Sequence, residues 1–522
     1  FSLPQLQLYQ ALIVRFAEPT LALDRPLTEA AREQARAAVN PVLGEVLADE
    51  RVIRAHERLR AQDVTRLRAY QQALAERGLG GGGIALGRTA GSILLNLLVL
   101  GVFGLLLSYY RPEIYRSPPK LAVAWGLLVV VMAVAGAASR AEAPPELIPV
   151  AVLGVSLAVL YGAPLTLAAV FTVSVLVAAR PPFLGISALL MLWLAGAAAA
   201  MGVRVVRRRM QILGVGATIT SAYLLAAICL GLLHGTAVSG VLFSTALGAL
   251  NALISASVAF VCLPLLEKFT GITTDLTLVE LADMNHPLLR RLSLEAPGTY
   301  AHSINVANLA EAAAHAVGGN TLLARVGAYY HDVGKLKRPH YFVENQHGPN
   351  PHDQLKPAMS AAVVREHVVE GIELAREAGL PYAVRAFIPE HHGTQRIGFF
   401  FDKAREDEPD ARLDEASFRY PGPKPQSKET AISMLADGVE SATRALQDRT
   451  PERIRELIDR IVARRVEEGQ LEDAPLTLHE VQLIKEQFAV ILAGMYHQRI
   501  DYPLTAEMAP PSPPPREAAE RT

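Results

Sequence analysis

The chain passes through three textures of apolar and polar positions. Residues 1 to about 88 are polar and rich in Ala, Arg, Glu and Leu, and the stretch 27–71 is made largely of strong helix formers. That pattern breaks at Gly78 and at the glycine run 80–83, which has the composition of a linker. From about 89 to 264 the apolar positions become nearly continuous. A helix needs about 20 apolar residues to cross a bilayer. Seven such stretches are predicted, near 91–110, 121–139, 146–161, 163–179, 183–203, 211–233 and 238–264. The third and fourth are the weakest, separated only by residues 161–164, so a six-span count is the alternative.

Beyond the apolar region helical periodicity returns. Residues 267–285 read as a connector whose helix opens on a capping pattern, Asp275 to Glu280. Residues 302–309 have the apolar spacing of a buried helix, and 323–330 lead into His331-Asp332, which should end a helix. Residues 361–379 carry His367, 381–388 lead into His391-His392, and 430–445 carry Asp437. Loops are expected at 338–357 and 402–428, a further amphipathic helix at 476–500, and a disordered Pro-rich tail at 505–522. The expected fold class is all-α: a polytopic bundle of seven membrane spans followed by a cytoplasmic, all-helical domain. The expected divisions are 1–88, 89–264, 265–285, 286–503 and 504–522.

Composition supports the membrane reading. Hydrophobic residues make up 51% of 522, charged residues 19%, and the mean hydropathy is +0.24, too apolar for an ordinary soluble enzyme. The net charge of −1 argues against a nucleic-acid polymer as partner. Cys229 and Cys262 both lie inside apolar runs, which suits packing and leaves no disulfide framework or Cys-based zinc site. Arg111, Arg116 and Lys120 follow the first span, Arg204, Arg207, Arg208 and Arg209 follow the fifth, and Lys268 follows the seventh. With seven spans these fall on one side, which basic loops mark as cytoplasmic. The few charges within the spans give little support to an ion pathway. The sequence opens on Phe1 rather than Met, so it offers no basis for judging a signal peptide.

The candidate chemistry lies between 302 and 437. The chain has 14 histidines. Seven of them, His286, His315, His340, His347, His352, His479 and His497, are isolated and suit surface or core positions. The doublet His331-Asp332 and the pair His391-His392 are harder to explain by packing, because adjacent imidazoles fill a core poorly. With His302, His367 and Asp437 they form a set of imidazoles and carboxylates suited to iron, manganese or zinc. Lys335, three residues past Asp332, is a candidate phosphate clamp. Arg419, Tyr420, Lys424 and Ser427, in a loop of glycine and prolines, combine cation, hydroxyl and rigid turn in a way that suits a phosphate or a stacked base. Arg338, Asn345 and Gln346 either line the same site or hold the loop after the metal pair.

His302, His331-Asp332 and Asp437 together resemble the HD phosphohydrolase superfamily, and the added His367 and His391-His392 resemble its dinuclear branch. The phrases HDVGKLKRPHYFVENQ, NPHD, PEHHGT and FRYPGPKPQSKE are similar to the seven-transmembrane HD family of the PgpH type, over roughly residues 20–503. Members of that family hydrolyse cyclic di-AMP. The resemblance implies that residues 1–88 are the membrane-proximal end of an extracytoplasmic sensor domain. It implies one metal on His302, His331, Asp332 and Asp437, a second on Asp332, His367, His391 and His392, and Asp332 as the bridge. It implies two divalent ions, iron or manganese. Asp332, His331 and Lys335 are then the catalytic set, and Lys335, Arg419, Tyr420, Lys424 and Ser427 bind substrate. The expected partners are a cyclic dinucleotide, the lipid bilayer, a second copy of the chain and an unidentified extracytoplasmic ligand. The branch that cleaves cyclic di-GMP carries a GYP phrase after its paired histidines, whereas here His392 is followed by Gly393-Thr394-Gln395-Arg396. Competing expectations are hydrolysis of ppGpp, another nucleotide or cyclic di-GMP, and a receptor that binds nucleotide without cleaving it.

Overall fold

A computed structural model describes residues 2–16, 24–39, 59–77, 82–203, 211–409 and 412–496. The arginine cluster at 204–209, the first glycines of the 80–83 run and the Pro-rich tail lie outside the described residues. The chain divides into two compact units, Phe1–Leu97 and Leu98–Thr522. In the first, helices Leu3–Phe16, Arg25–Ala38 and Ala61–Glu76 follow one another, and Asp24 caps the second by accepting a hydrogen bond from the Leu27 amide at 3.1 Å. Helix Gly82–Tyr110 begins within the glycine run and carries the chain into the second unit.

Seven apolar helices coincide with the seven predicted stretches. Thr89–Tyr110, Pro118–Arg140, Gln211–His234 and Val238–Thr270 are long and apolar enough to cross a membrane. The other three are shorter: Val150–Tyr161 has 12 residues, Ala163–Ala178 has 16 and Ile186–Gly202 has 17. Pro144, Pro145 and Pro149 delay the start of the first of these, and the Gly162 turn separates it from the second. The short helices are also the more enclosed, with Leu153, Leu157, Ala169, Val173, Leu192 and Ala195 fully buried. The long helices keep Leu105, Val129, Leu225 and Val261 exposed, as surfaces facing lipid require.

Hydrogen bonds set the ends of neighbouring helices level. The Tyr161 hydroxyl donates to the Lys120 carbonyl at 2.8 Å, and the Ser139 hydroxyl donates to the Pro181 carbonyl at 2.6 Å. Lys120 and Ser139 are separated by about 28 Å of helix. The Ala163–Ala178 helix and its flanks therefore run the same length as a helix long enough to cross.

The connector is built into two cores. Leu276 packs on the bundle core, whereas Leu278 and Leu281 are buried in the core of the following helices. The expected cap at Asp275 is displaced by one residue. Asp275 opens helix Asp275–Leu281, and Thr274 stands at the cap without a side-chain capping bond, because its hydroxyl donates to Glu267 instead. Thr277 donates to the other Glu267 oxygen at 2.6 Å, so the last turn of Val238–Thr270 is strapped to the connector.

Helices Pro287–Glu295, Pro297–Ala316, Thr321–Tyr330, Pro357–Glu377, Lys428–Ala445, Pro451–Glu467 and Leu478–Met495 enclose the second core, with Leu292, Val306, Tyr330, Ile432, Leu435, Ile484 and Phe488 at its centre. No strand occurs among the described residues, only an isolated bridge between Arg396 and Arg419. Three helices of this region were not singled out from the sequence, Pro287–Glu295 among them. Pro451–Glu467 buries Ile454, Ile458 and Val462, one per turn. Gly398–Asp407 occupies part of the expected 402–428 loop because Phe400 and Ala404 pack with Phe418. Phe488 is 0% exposed. Phe488→Ala should therefore lower the stability of this region by about 3–5 kcal/mol, read as a fall in the unfolding midpoint of the detergent-purified chain.

Candidate metal centre

The histidines of the site are delivered by four different pieces of the helical frame. His302 sits on Pro297–Ala316, His331 caps the C-terminus of Thr321–Tyr330, and His367 lies mid-helix on Pro357–Glu377. His391 and His392 follow the short helix Phe387–Glu390, and Asp437 lies on Lys428–Ala445. The turn Val333–Lys337 reaches the His367 helix only because residue 334 is glycine. A Cβ there would stand 1.8 Å from the His367 carbonyl oxygen.

All seven predicted ligands come together. The Asp332 carboxylate, 1% exposed, divides its oxygens between two sets of imidazoles. Its Oδ1 lies 3.5 Å from His367 Nε2 and 3.6 Å from His391 Nε2. Its Oδ2 lies 3.3 Å from His331 Nε2 and 3.7 Å from His302 Nε2. Asp437 stands between the sets, 3.0 Å from His302 Nε2 and 4.0 Å from both His331 Nε2 and His392 Nδ1. Two groups could each hold a metal ion, one of Asp332, His367, His391 and His392 and one of His302, His331 and Asp332, each with its donor atoms within 4.8 Å of one another.

The tautomers suit metal binding. His331, His367 and His391 each direct Nδ1 at a backbone carbonyl three or four residues earlier, those of Ala328, Val364 and Phe387, at 2.7, 2.5 and 2.9 Å. The proton is thereby held on Nδ1, and the Nε2 lone pair faces inward. The Nε2 atoms of all three and Asp332 Oδ1 are buried without a hydrogen-bond partner. Unpaired buried acceptors converging on one point are costly in a finished core and are what a cation would satisfy.

The charges agree. Burial pushes His391 down to about 3, with the neighbouring His331 adding to the effect, and burial lowers His367 and His392 as well. Burial alone would raise Asp332, but Lys335 and His331 overcome it and hold the carboxyl well below the usual range. At neutral pH these imidazoles are neutral and the carboxylate ionised, the states in which both bind metal. His302 differs: against the cost of burial, hydrogen bonds to Asp437 and Glu440 raise it to about 9.

The candidate substrate groups are placed unevenly. Lys335 Nζ is 2.7 Å from Asp332 Oδ2 and 2.8 Å from Glu344 Oε1, so its charge points into the cluster. The Tyr420 ring is stacked on His392 at 4.0 Å and 19°. Arg419 pairs with Glu415 at 2.5 Å and donates to the Thr394 carbonyl at 3.1 Å. Lys424 pairs with Glu472 at 2.9 Å. Ser427 spends its hydroxyl as the N-cap of Lys428–Ala445, accepting from the Thr430 amide at 3.1 Å. Asn345 is structural: its amide clamps Thr299, accepting from the backbone at 3.1 Å and donating to the hydroxyl at 2.8 Å. Arg338 reaches Glu370 at 3.6 Å, and Gln346 donates to the Tyr341 carbonyl at 3.4 Å.

Two carboxylates were not anticipated. Glu440, fully buried, accepts from His302 Nδ1 at 2.6 Å and is itself held by Asn305 and Arg444. Its signal was its place three residues after Asp437, on the same face of one helix. Glu344 is the second partner of Lys335 and also accepts from the Thr299 hydroxyl at 2.9 Å.

A helical frame that gathers five imidazoles and two acids, joined by a strapped connector to an apolar helix bundle, defines a membrane-anchored metal-site protein. Three family descriptions match it in order: "7TM-HD extracellular" over 1–72, "7TM receptor with intracellular HD hydrolase" over 87–274 and "HD domain" over 299–442. The chain belongs to the seven-transmembrane HD family. It is 42% identical over 298 residues to the cyclic-di-AMP phosphodiesterase PgpH of Bacillus subtilis (strain 168), a match covering 56% of this chain and 42% of that protein. It is 46% identical over 242 residues to the cyclic-di-AMP phosphodiesterase PgpH of Listeria monocytogenes serotype 1/2a (strain 10403S), covering 46% of this chain and 33% of that protein. The chain thus spans less than half the length of either relative. Among solved structures it is similar to the HD domain of L. monocytogenes phosphodiesterase PgpH in complex with cyclic-di-AMP, at 46% identity and a TM-score of 0.40, covering 42% of this chain and 100% of that one.

Glu440→Gln should weaken divalent-metal retention about 10- to 100-fold, measured by chelator competition, because a buried acid orients and strengthens His302. Below about 9 His302 carries a proton that a metal must displace. Metal binding at pH 7–8 should therefore release about one proton from His302 and tighten as pH rises toward 9, read by calorimetry in buffers of different ionisation enthalpy.

Proposed function

We propose that this chain is a membrane-bound, metal-dependent phosphodiesterase that opens cyclic di-AMP to the linear dinucleotide pApA. The observation that carries this reading is the division of the Asp332 oxygens between two sets of inward-facing imidazoles. Such a carboxylate can serve two cations at once, and we assign the site two metal ions. His302, His331, Asp332 and Asp437 would hold one, and Asp332, His367, His391 and His392 the other. Five imidazoles among seven donors favour iron or manganese over magnesium, which prefers oxygen ligands. When bound, such a pair supplies positive charge that lowers the pKa of a water and neutralises the oxygens of a phosphodiester.

The residues of the chain do the rest. Water oxygen bonds to phosphorus and the bond to the ribose 3′ oxygen breaks, leaving a 5′ phosphate and a 3′ hydroxyl. Lys335, paired with Asp332 and Glu344, keeps a cation beside the reacting phosphate without leaving either carboxylate unpaired. Tyr420, stacked on His392, offers an aromatic face at the rim of the cluster where a base can lie. Arg419 is half-exposed nearby and can exchange its Glu415 partner for phosphate. The adenine preference rests on the two relatives, both of them cyclic-di-AMP phosphodiesterases.

We place the catalytic region, 286–503, in the cytoplasm, joined through a connector at 265–285 to seven crossings within 89–264, with 1–88 outside. The basic residues at 111–120 and 204–209 support this orientation. This orientation counts Val150–Tyr161 and Ala163–Ala178 as two crossings, which their bonds to opposite ends of Pro118–Arg140 support, Tyr161 to Lys120 and Pro181 to Ser139; a six-span count would reverse it.

The full-length chain, purified in detergent and loaded with manganese or with iron under anaerobic conditions, should convert cyclic di-AMP to pApA faster than it cleaves cyclic di-GMP. Asp332→Ala should lower the rate at least about 1,000-fold, the scale expected when both metal positions are lost together. Preference for ppGpp or mononucleotides would reassign the substrate, and binding of cyclic di-AMP without cleavage by metal-loaded protein would make the chain a receptor.

A further inference from the structure

The bundle contains a buried acid that the phosphodiesterase reading does not use. Glu146 lies in the turn Pro145–Leu147 between apolar helices and is only 7% exposed. Its Oε1 accepts a hydrogen bond from Ser244, its backbone carbonyl accepts from Asn251 Nδ2 at 2.7 Å, and its Oε2 is buried with no partner. Among the described residues no Lys, Arg or His forms an ion pair with it. An unpaired carboxylate inside an apolar bundle is costly, and intramembrane acids that persist generally serve an ion or substrate.

The surroundings are arranged around it. Ser244, Gly248, Asn251 and Ser255 fall on one face of the Val238–Thr270 helix, four and then three and four residues apart. Ser255 donates to Asn251 Oδ1 at 2.7 Å, which fixes the amide with its nitrogen toward Glu146. Gly248 leaves room on this face for a ring: a Cβ there would stand 2.4 Å from Tyr223 Cγ. The Tyr223 hydroxyl, on the ring that fills the space at Gly248, is fully buried and has no hydrogen-bond partner. The free donor atoms are therefore oxygens, one of them charged, and they lie on a face held open by glycine.

We propose that Glu146, Ser244 and Tyr223, on the face kept by Gly248 and Asn251, form a binding site for a monovalent alkali cation within the helix bundle. All-oxygen donors select hard ions over the metals suited to the histidine cluster. One carboxylate balances one positive charge, so the loaded site is neutral in an apolar setting, which a divalent ion would not be. The helix that lines the site also leads to the metal centre. Its last turn holds Thr274 and Thr277 through Glu267, and the connector that follows receives the Tyr330 hydroxyl on the Leu281 carbonyl at 2.8 Å, one residue before His331.

The test needs no catalytic readout. The full chain in lipid nanodiscs is heated at constant pH and ionic strength while choline chloride is replaced by lithium, sodium or potassium chloride. The wild type should show a saturable rise in melting temperature with at least one alkali ion. Glu146→Gln should abolish it, and Tyr223→Phe, which removes one oxygen and keeps the ring, should raise the half-saturating concentration about tenfold. Should Glu146→Gln fail to fold, the Tyr223→Phe shift alone decides. A wild type that responds equally to choline and alkali ions, or only to pH, overturns the proposal, as does a Glu146→Gln protein that responds like wild type. Loss of cyclic di-AMP hydrolysis would bear on the phosphodiesterase reading and leave this result standing.

Discussion

The constraint on which the catalytic region depends is the burial of the Asp332 charge. Removing a carboxylate from water costs several kcal/mol unless charge and hydrogen bonds are returned to it. Here Lys335 returns a charge at 2.7 Å, and four imidazoles crowd the two oxygens. Much else in the region serves that arrangement. Gly334 lets the turn that carries Lys335 press against the His367 helix. Asn345 clamps the loop bearing Glu344, which holds the other side of Lys335. Glu440 and its partners fix the ring of His302, whose Nδ1 meets an acid where those of His331, His367 and His391 meet backbone carbonyls. The five segments carrying the ligands have little in common except this meeting point, and the core of Ile432, Leu435 and Phe488 behind them keeps them there.

The bundle and the catalytic region are linked by continuous structure. The Val238–Thr270 helix runs through the bundle, its Glu267 grips the connector, and the connector divides its leucines between the two cores. A displacement of that helix along its axis would be felt at Leu281 and hence at Tyr330, which immediately precedes the metal-ligand pair. Rigid helices and buried hydrogen bonds transmit displacement where a flexible linker would absorb it. The same geometry serves as a firm anchor when nothing moves. Both uses follow from placing polar clasps at the ends of an otherwise apolar element.

Much of this was legible in the residues. The seven apolar stretches were readable because a bilayer demands long uninterrupted apolar runs, and each of them is a helix. The ligand set was readable because imidazole and carboxylate doublets make poor core, so their presence among apolar helical residues needs a chemical reason. The short helices Val150–Tyr161 and Ala163–Ala178 were the hardest to read, since their ends are set by prolines, Gly162 and bonds to distant Lys120 and Ser139. Helix Gly398–Asp407 was read as loop because its stability comes from Phe418, well beyond it in sequence. Ser427 looked like a ligand-binding group, and Asn345 like one that either lines the site or holds the loop, because Ser and Asn serve caps and clamps with the same atoms they offer to ligands.

The sequence alone determined which chemistry the chain can carry and that it lives in a membrane, because ligand type and apolar length are properties of the residues themselves. Tertiary structure decided which oxygen of Asp332 faces which histidine, that Lys335 turns inward, and that Glu146 meets no basic partner among the described residues. Those depend on where helices separated by tens or hundreds of residues come to rest against one another, and no local pattern records that.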